Sequence, residues 1–486
     1  MIKSLYDEFR TEWKNNTAKS VIFQFLGIIA FFLVYTSNLP LEENAKKFLA
    51  IFSYVVVQWL LSSTTLFISG LMGVALTVLL GVISFEEAFS SFSSPIIFLF
   101  MGGFLLARAM EKLGLDRKIS IAILSSKFIN GSFNRTLAVI IVVTATFSMW
   151  VSNSATAAMM ISIAFGILKS FKVKEDITKQ YFLLIIGYAA TVGGMATPIG
   201  SPPNLITMGL LEQHTGHSLT FWDWFKYGLP LSCGFMLILF LYAKSKITEA
   251  IPKVDKKDLI LSLGKDHKIS NNEFRLMAIF SLTVFFWFAP TIATFVLGKA
   301  NVLTIYLHKY VTPAMVAIIA SCSLFMFPIY SKTKLLEQED IKKIDWGTLL
   351  LFASGLSLGT TLFKTGIAEY VGNNIITIFS NFSFSVILIF IVAITILLTE
   401  LVSNTAAANI LVPILIAAAA KVGFSTTTAA FVIAFSCNMA FMLPVATPPN
   451  AIVYGTGLVS MKKMIGFGAI LNLIAFVVLC AIVAFF

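Results

Sequence analysis

Two short polar stretches carry residue types that could bind ions and carboxylates. One is Ser152-Asn153-Ser154, within Trp150–Met159; the other is Ser403-Asn404-Thr405, within Leu401–Asn409. Their hydroxyls and amides offer neutral donors and acceptors, with no fixed charge. A second pair of motifs, Gly200-Ser201-Pro202-Pro203-Asn204 and Ala446-Thr447-Pro448-Pro449-Asn450, holds two proline pairs. Such pairs remove backbone donors and stop a helix, freeing carbonyls before the break and starting a new helix after it. The helices expected after Ser154, Pro203, Thr405 and Pro449 each present a positive end. Four such ends facing one point make an anion site from backbone alone. The oxygens freed before each break suit a small hard cation.

The flanking segments must hold these groups at depth in a membrane. Thr136–Val151 and Ala155–Leu168 are uncharged arms on either side of the first triplet. Sixteen residues of helix rise only about 24 Å, short of a ~30 Å hydrocarbon core. A helix that enters, turns at a polar tip and returns is therefore expected, and its echo at 401–409 gives one cavity two walls. Segments 136–168, 182–211 and 422–461 contain no charged residue, and 384–420 contains only Glu400. A doubly negative substrate finds no Lys, Arg or His there. Half-helix dipoles supply about half a charge each, so bound cations are needed to offset desolvation. That argues indirectly for Na+ as a coupling ion, with no other cofactor. Glu400 is either a proton or cation group or a carboxylate that bonds backbone donors near the tip.

The chain of 486 residues is 58% hydrophobic and 12% charged, with a mean hydropathy of +0.89. Only a multi-span membrane protein fits those values. Spans are expected near 21–36, 47–61, 64–82, 95–112, 224–243, 276–296, 311–330, 346–363 and 464–486, with hairpins and broken helices between. Met1–Ser20 has charges of both signs and no cleavage pattern, so Val21–Tyr35 reads as a retained span. With the amino end cytoplasmic, all of the 35 Lys and Arg except Lys46, Lys47, Lys226, Lys299, Lys309, Lys364 and Lys421 lie inside. This bias fixes orientation and explains the net charge of +11 without nucleic acid. Lys244–Arg275 is expected to be a solvated helix. Gly114–Asn130 and Gly366–Ser380 are expected to be surface-lying amphipathic arms, and Gly102-Gly103 and Gly193-Gly194 close packing sites. Cys233, Cys322, Cys437 and Cys480 lie in apolar segments without a metal spacing. His214 and His217 are weak as a metal pair. Asn438 is expected to pack between helices.

The halves repeat. Phe100, Gly103, Leu106, Lys112 and Gly114 recur as Phe352, Gly355, Leu358, Lys364 and Gly366, and Val151-Ser152-Asn153 recurs as Val402-Ser403-Asn404. The two proline motifs follow in the same order. The crossings between the copies give them opposite topology, the mark of a secondary transporter with a midplane site. The fold expected is an all-α polytopic membrane protein, with about 11 transmembrane helices and two re-entrant hairpins in an inverted-topology repeat. A channel would need a charged or carbonyl ring along a pore, and an enzyme a convergent acid, base or metal set. Neither pattern is present.

The paired tips, the Pro-Pro-Asn interruptions and the inverted repeat resemble the divalent anion/Na+ symporter family across nearly the whole chain. That family carries di- and tricarboxylates or sulfate. The resemblance implies a homodimer in the cell membrane and an elevator motion. It implies a scaffold at 1–135 and 246–383, and a transport domain at 136–245 and 384–486. By the same resemblance Ser152, Asn153, Ser154, Ser403, Asn404 and Thr405 meet the substrate, a C4-type dicarboxylate, with Ser201, Pro202, Thr447 and Pro448 beside them. Ser148, Asn153 and Gly200 match one Na+ site, and Thr399, Asn404 and Ala446 its mirror. Ser154 stands where the family has threonine. Some relatives exchange dicarboxylates without Na+, and both modes remain open at the level of sequence.

Overall fold

A computed structural model describes residues 17–61, 65–216, 219–255, 269–326, 334–379 and 381–485. Every regular element among them is helical. The first half runs α1 Thr17–Thr36, α2 Glu43–Leu61, α3 Leu66–Leu79, α4 Phe85–Ser90, α5 Pro95–Leu113, α6 Leu115–Leu124, α7 Phe133–Ser148, α8 Asn153–Ser170, α9 Asp176–Gly194 and α10 Pro202–Thr215. The connection is α11 Phe221–Lys246, α12 Asn271–Leu297, α13 Val302–Tyr310 and α14 Pro313–Phe325. Then follow α15 Gln338–Ile341, α16 Trp346–Lys364, α17 Ile367–Ile378, α18 Phe384–Leu401, α19 Asn404–Lys421, α20 Thr426–Cys437, α21 Pro448–Gly455 and α22 Met461–Phe485. The series α4 to α10 thus reappears in order as α15 to α21.

The two copies run in opposite directions, and a pair of ion pairs makes this visible. Lys112, at the end of α5, lies 2.7 Å from Asp340, just before α16. Lys364, at the end of α16, lies 3.1 Å from Glu87, just before α5. Each span therefore ends where the other begins.

Seven described helices are long and apolar enough to cross a membrane, or eight if α13 and α14, bent by 68°, form one span. Val21–Thr36, Leu66–Leu79, Phe133–Ser148 and Thr426–Cys437 are shorter apolar helices beside them. Lipid-facing surface is the reason for exposed side chains such as Phe32, Leu237, Phe295 and Leu473. The opposite extreme is α9, whose residues 181–194 are all buried, because it packs against α7, α8, α11 and α21. The amphipathic arms form as the helices α6 and α17, each opened by a left-handed glycine, Gly114 (φ 62°) and Gly366 (φ 73°). Of the helix expected at 244–275, residues 247–255 have no regular structure, and 256–268 lie outside the described residues.

Candidate functional site

The breaks arise where the sequence cannot continue a helix. New helices begin at Asn153, Pro202, Asn404 and Pro448, each two residues earlier than the motif spacing suggests. Both leading prolines take the first helical position, where no donor is needed and the fixed φ suits the helix. The caps are sparse. Ser152 accepts from Ala155 N at 3.5 Å and Thr447 from Asn450 N at 3.4 Å. Ser403 makes no side-chain cap bond, so the first N–H groups of α19 remain available to a ligand, whereas α10 opens on two prolines that have no N–H and its Asn204 N bonds back to Ser201 O at 3.1 Å.

These four helix starts surround one cavity of about 240 Å3. Ser152, Asn153, Ser154, Ser201, Pro202, Ser403, Asn404, Thr405, Thr447 and Pro448 line it, together with Gly200 and Ala446. Ser148 and Thr399 do not; both are fully buried one layer behind. Each instead fixes a tip amide. Asn153, in the amide orientation that gives its atoms complementary partners, donates to Ser148 Oγ at 2.5 Å and to Gly200 O at 3.1 Å. Thr399 Oγ1 lies 2.6 Å from Asn404 Oδ1 and 2.7 Å from Cys437 O. The three groups Ser148, Asn153 and Gly200 are therefore linked directly. Of the mirror set, Thr399 and Asn404 are linked, and Ala446 stands in the cavity wall.

The breaks are tied off by one device used twice. Asn204 Nδ2 donates to Gly194 O at 2.9 Å and Thr197 O at 2.7 Å; Asn450 Nδ2 donates to Ala440 O at 3.0 Å and Leu443 O at 3.1 Å. The loop-to-tip contact, by contrast, is made with opposite chemistry in the two halves. Thr197 Oγ1 donates to Met149 O in the first. In the second, Glu400, at the position matching Met149, accepts from Phe441 N (2.7 Å), Met442 N (2.8 Å), Leu443 N (2.9 Å) and Asn472 Nδ2 (2.6 Å). Three backbone N–H groups and one side-chain amide thus meet this carboxylate and tie the loop to the second tip. Asn438 does more than pack: it accepts from Ser201 Oγ at 2.5 Å and donates to Asn204 Oδ1 at 3.0 Å, joining the two halves. Gly194 belongs to the site as well, because a Cβ there would sit 2.5 Å from the Asn153 amide.

Other walls come from α5 and α16, which the motifs do not mark as binding groups: Phe100, Gly103, Phe104, Ala107, Asp345, Thr348 and Leu351. Asp345 is the one charged side chain among the described lining residues, and it caps α16 by accepting from Thr348 N at 2.9 Å. Trp150 closes one side, with its ring stacked 6.0 Å from Phe221 and 6.2 Å from Trp287. Away from the cavity, the His214 ring lies tilted against Phe363 with centroids 4.7 Å apart, and His217 lies outside the described residues.

Residues 14–486 match the sequence profile described as the sodium:sulfate symporter transmembrane region. An uncharacterized transporter of Haemophilus influenzae is 36% identical over 473 residues, covering 95% of this chain and 96% of its own. A sodium-dependent dicarboxylate transporter of Staphylococcus saprophyticus is 31% identical over 505 residues, covering 100% and 95%. Its namesake in Staphylococcus aureus is 30% identical over 503 residues, covering 99% and 95%. Among solved structures, the Alcanivorax borkumensis YdaH transporter superposes with a TM-score of 0.56 over 96% of each chain. At 12% identity it speaks for the fold alone.

Proposed function

Since the chain belongs to the sodium:sulfate symporter family, the divalent anion/Na+ symporters, we propose that it carries C4-type dicarboxylates across the cell membrane together with Na+. Succinate, malate and fumarate are the substrates of fitting size and charge, with 2-oxoglutarate a longer one. The observation that carries this reading is the charge of the cavity. Its described lining holds no Lys, Arg or His and one carboxylate, Asp345. A dianion placed there needs more than four half-helix dipoles. Sodium ions held by Ser148, Asn153 and Gly200, and by Thr399, Asn404 and Ala446, would supply the missing charge. The names of the staphylococcal relatives support both the substrate class and the ion.

The tip residues Ser152, Asn153, Ser154, Ser403, Asn404 and Thr405 hold the two carboxylates, with Ser201, Pro202, Thr447 and Pro448 at their edges. Segments 136–245 and 384–486 move as one body against a frame of 1–135 and 246–383, two copies of which form a dimer. The cavity lies beside Ala107, Asp345 and Thr348, at the end of α5 that carries Arg108 and Lys112. Charge bias puts that end, like the amino end of the chain, inside the cell, so this conformation faces the cytoplasm.

Uptake of labelled succinate into proteoliposomes tests the reading. Uptake into empty vesicles that rises cooperatively with external Na+ is expected. Uptake indifferent to Na+ and dependent on internal dicarboxylate would establish exchange instead.

A further inference from the structure

Beyond the second tip, one face of α19 presents Thr405, Asn409 and Pro413, four residues apart. It packs on a face of α16 with the same pitch, Leu351, Gly355 and Gly359. Thr405 and Leu351 border the cavity. One turn farther along, Asn409 sits so close to Gly355 that a Cβ on the glycine would overlap its amide. At the next turn, a Cβ on Gly359 would meet Leu210 at 2.5 Å and Pro413 at 4.0 Å.

Asn409 is 2% exposed, and neither Nδ2 nor Oδ1 has a hydrogen-bond partner. Buried polar groups are nearly always paired, and an orphaned amide is destabilising. An interface used in a single register would be better served by leucine. The glycines let the two backbones approach closely, and their spacing provides two equivalent notches about 6 Å apart along the helix. The orphaned amide therefore marks a contact that this conformation does not satisfy.

We propose that α16 and α19 form a two-position track, with Gly355 and Gly359 as alternative seats for Asn409. Asn409 is the positioning residue that sets the register between the two bodies; the inference rests on the moving-body reading given above. In the conformation described here Asn409 occupies the Gly355 seat without partners, which keeps this end state from becoming a trap. A shift of one turn, of the kind helices make past one another in other switching proteins, carries the tips toward the Lys364 end of α16. It also breaks the bond from Thr360 Oγ1 to Gln213 Oε1, 2.7 Å, which spans the same boundary.

The test uses the full-length protein in membrane vesicles, with its four native cysteines replaced by alanine. Paired cysteines at 409 and 355, and separately at 409 and 359, are oxidised with and without succinate and Na+. The first pair is expected to link at rest, the second only during turnover, and each linkage to abolish uptake until reduced. If the first linkage blocks uptake but the second pair never links, the track is wrong while the moving body stands. If uptake survives complete linkage of the first pair, the moving body itself is wrong. Two single variants give a readout independent of linkage. Gly359→Ala narrows the second seat, and Asn409→Leu removes the orphaned amide. Each is expected to slow turnover about tenfold while leaving equilibrium succinate affinity within about twofold, and Asn409→Leu to raise the melting temperature. Normal turnover in both variants would overturn the proposal.

Discussion

Phe100 and Phe352 occupy the same position in the two repeats, and they touch each other: their rings meet edge to face with centroids 5.4 Å apart. A residue in contact with its own counterpart must lie on the axis that relates the copies, as in any two-fold contact. Phe100 also lines the cavity. The cavity thus lies at the axis, where each half contributes one tip and one interrupted helix.

The two tip amides are expected to be indispensable. Asn153→Ala and Asn404→Ala each remove a group that faces the cavity on one side and Ser148 or Thr399 on the other. Succinate uptake in proteoliposomes should fall to background in both, while size-exclusion profiles stay unchanged. Near-normal uptake in either one would contradict the two-walled site.

Gly194→Ala is expected to act on the first tip without touching a polar group. The added methyl would meet the Asn153 amide at 2.5 Å and Gly200 O at 2.8 Å. Overpacking of this kind costs about 1–3 kcal/mol. It should appear as a roughly tenfold higher Na+ concentration for half-maximal uptake, and an unchanged Na+ dependence would refute the placement.

Glu400→Gln separates a structural carboxylate from a coupling one. Glutamine keeps one acceptor oxygen for the Phe441, Met442 and Leu443 amides and gives up the other. The melting temperature should drop and turnover slow, with the Na+ cooperativity of uptake unchanged. A changed cooperativity would return Glu400 to the ion pathway.

Asp340 should give the protein an acid-sensitive contact. Burial pushes its carboxyl up, but hydrogen bonds from Lys112, Glu337 N–H and Arg108 outweigh that and hold it below the usual carboxylate range. A carboxylate lowered on folding stabilises the protein above its unfolded value, and the contribution fades as pH falls through the lowered one. Asp340→Asn is therefore expected to melt roughly 2–4 °C lower near neutral pH, with the gap closing below about pH 4. Glu87→Gln, at the exposed counterpart pair, is expected to leave melting unchanged. A gap that persists into acid would mean that the loss comes from repacking.

Much of this was legible in the sequence because the signals are local. Proline pairs at 202–203 and 448–449, uncharged arms and repeated triplets locate the four helix starts without tertiary information. The lysines at 112 and 364 already mark the repeat, although their partners at 340 and 87 do not. What stayed hidden depends on which face of a helix meets a distant one. Asp345 enters the cavity because α16 begins beside it, and no motif flags a lone acid at the head of an apolar span. Asn438 has no repeat counterpart, so duplication could not single it out. The four donors that meet Glu400 are equally non-local, one of them coming from Asn472, 72 residues away.

The bridge made by Asn438 has a consequence for affinity. By bonding Ser201 and Asn204 it links one half's proline break to the other half's helix, and Thr399, bonded to Cys437 O, ties the second tip to that same helix. Neither wall can spread without straining its opposite, so the recess behaves as a mould of fixed dimensions. A mould of this sort grips its ligand equally well from either compartment. Any difference between inward and outward half-saturation should then follow the membrane voltage and the sodium gradient, and should vanish when both are collapsed.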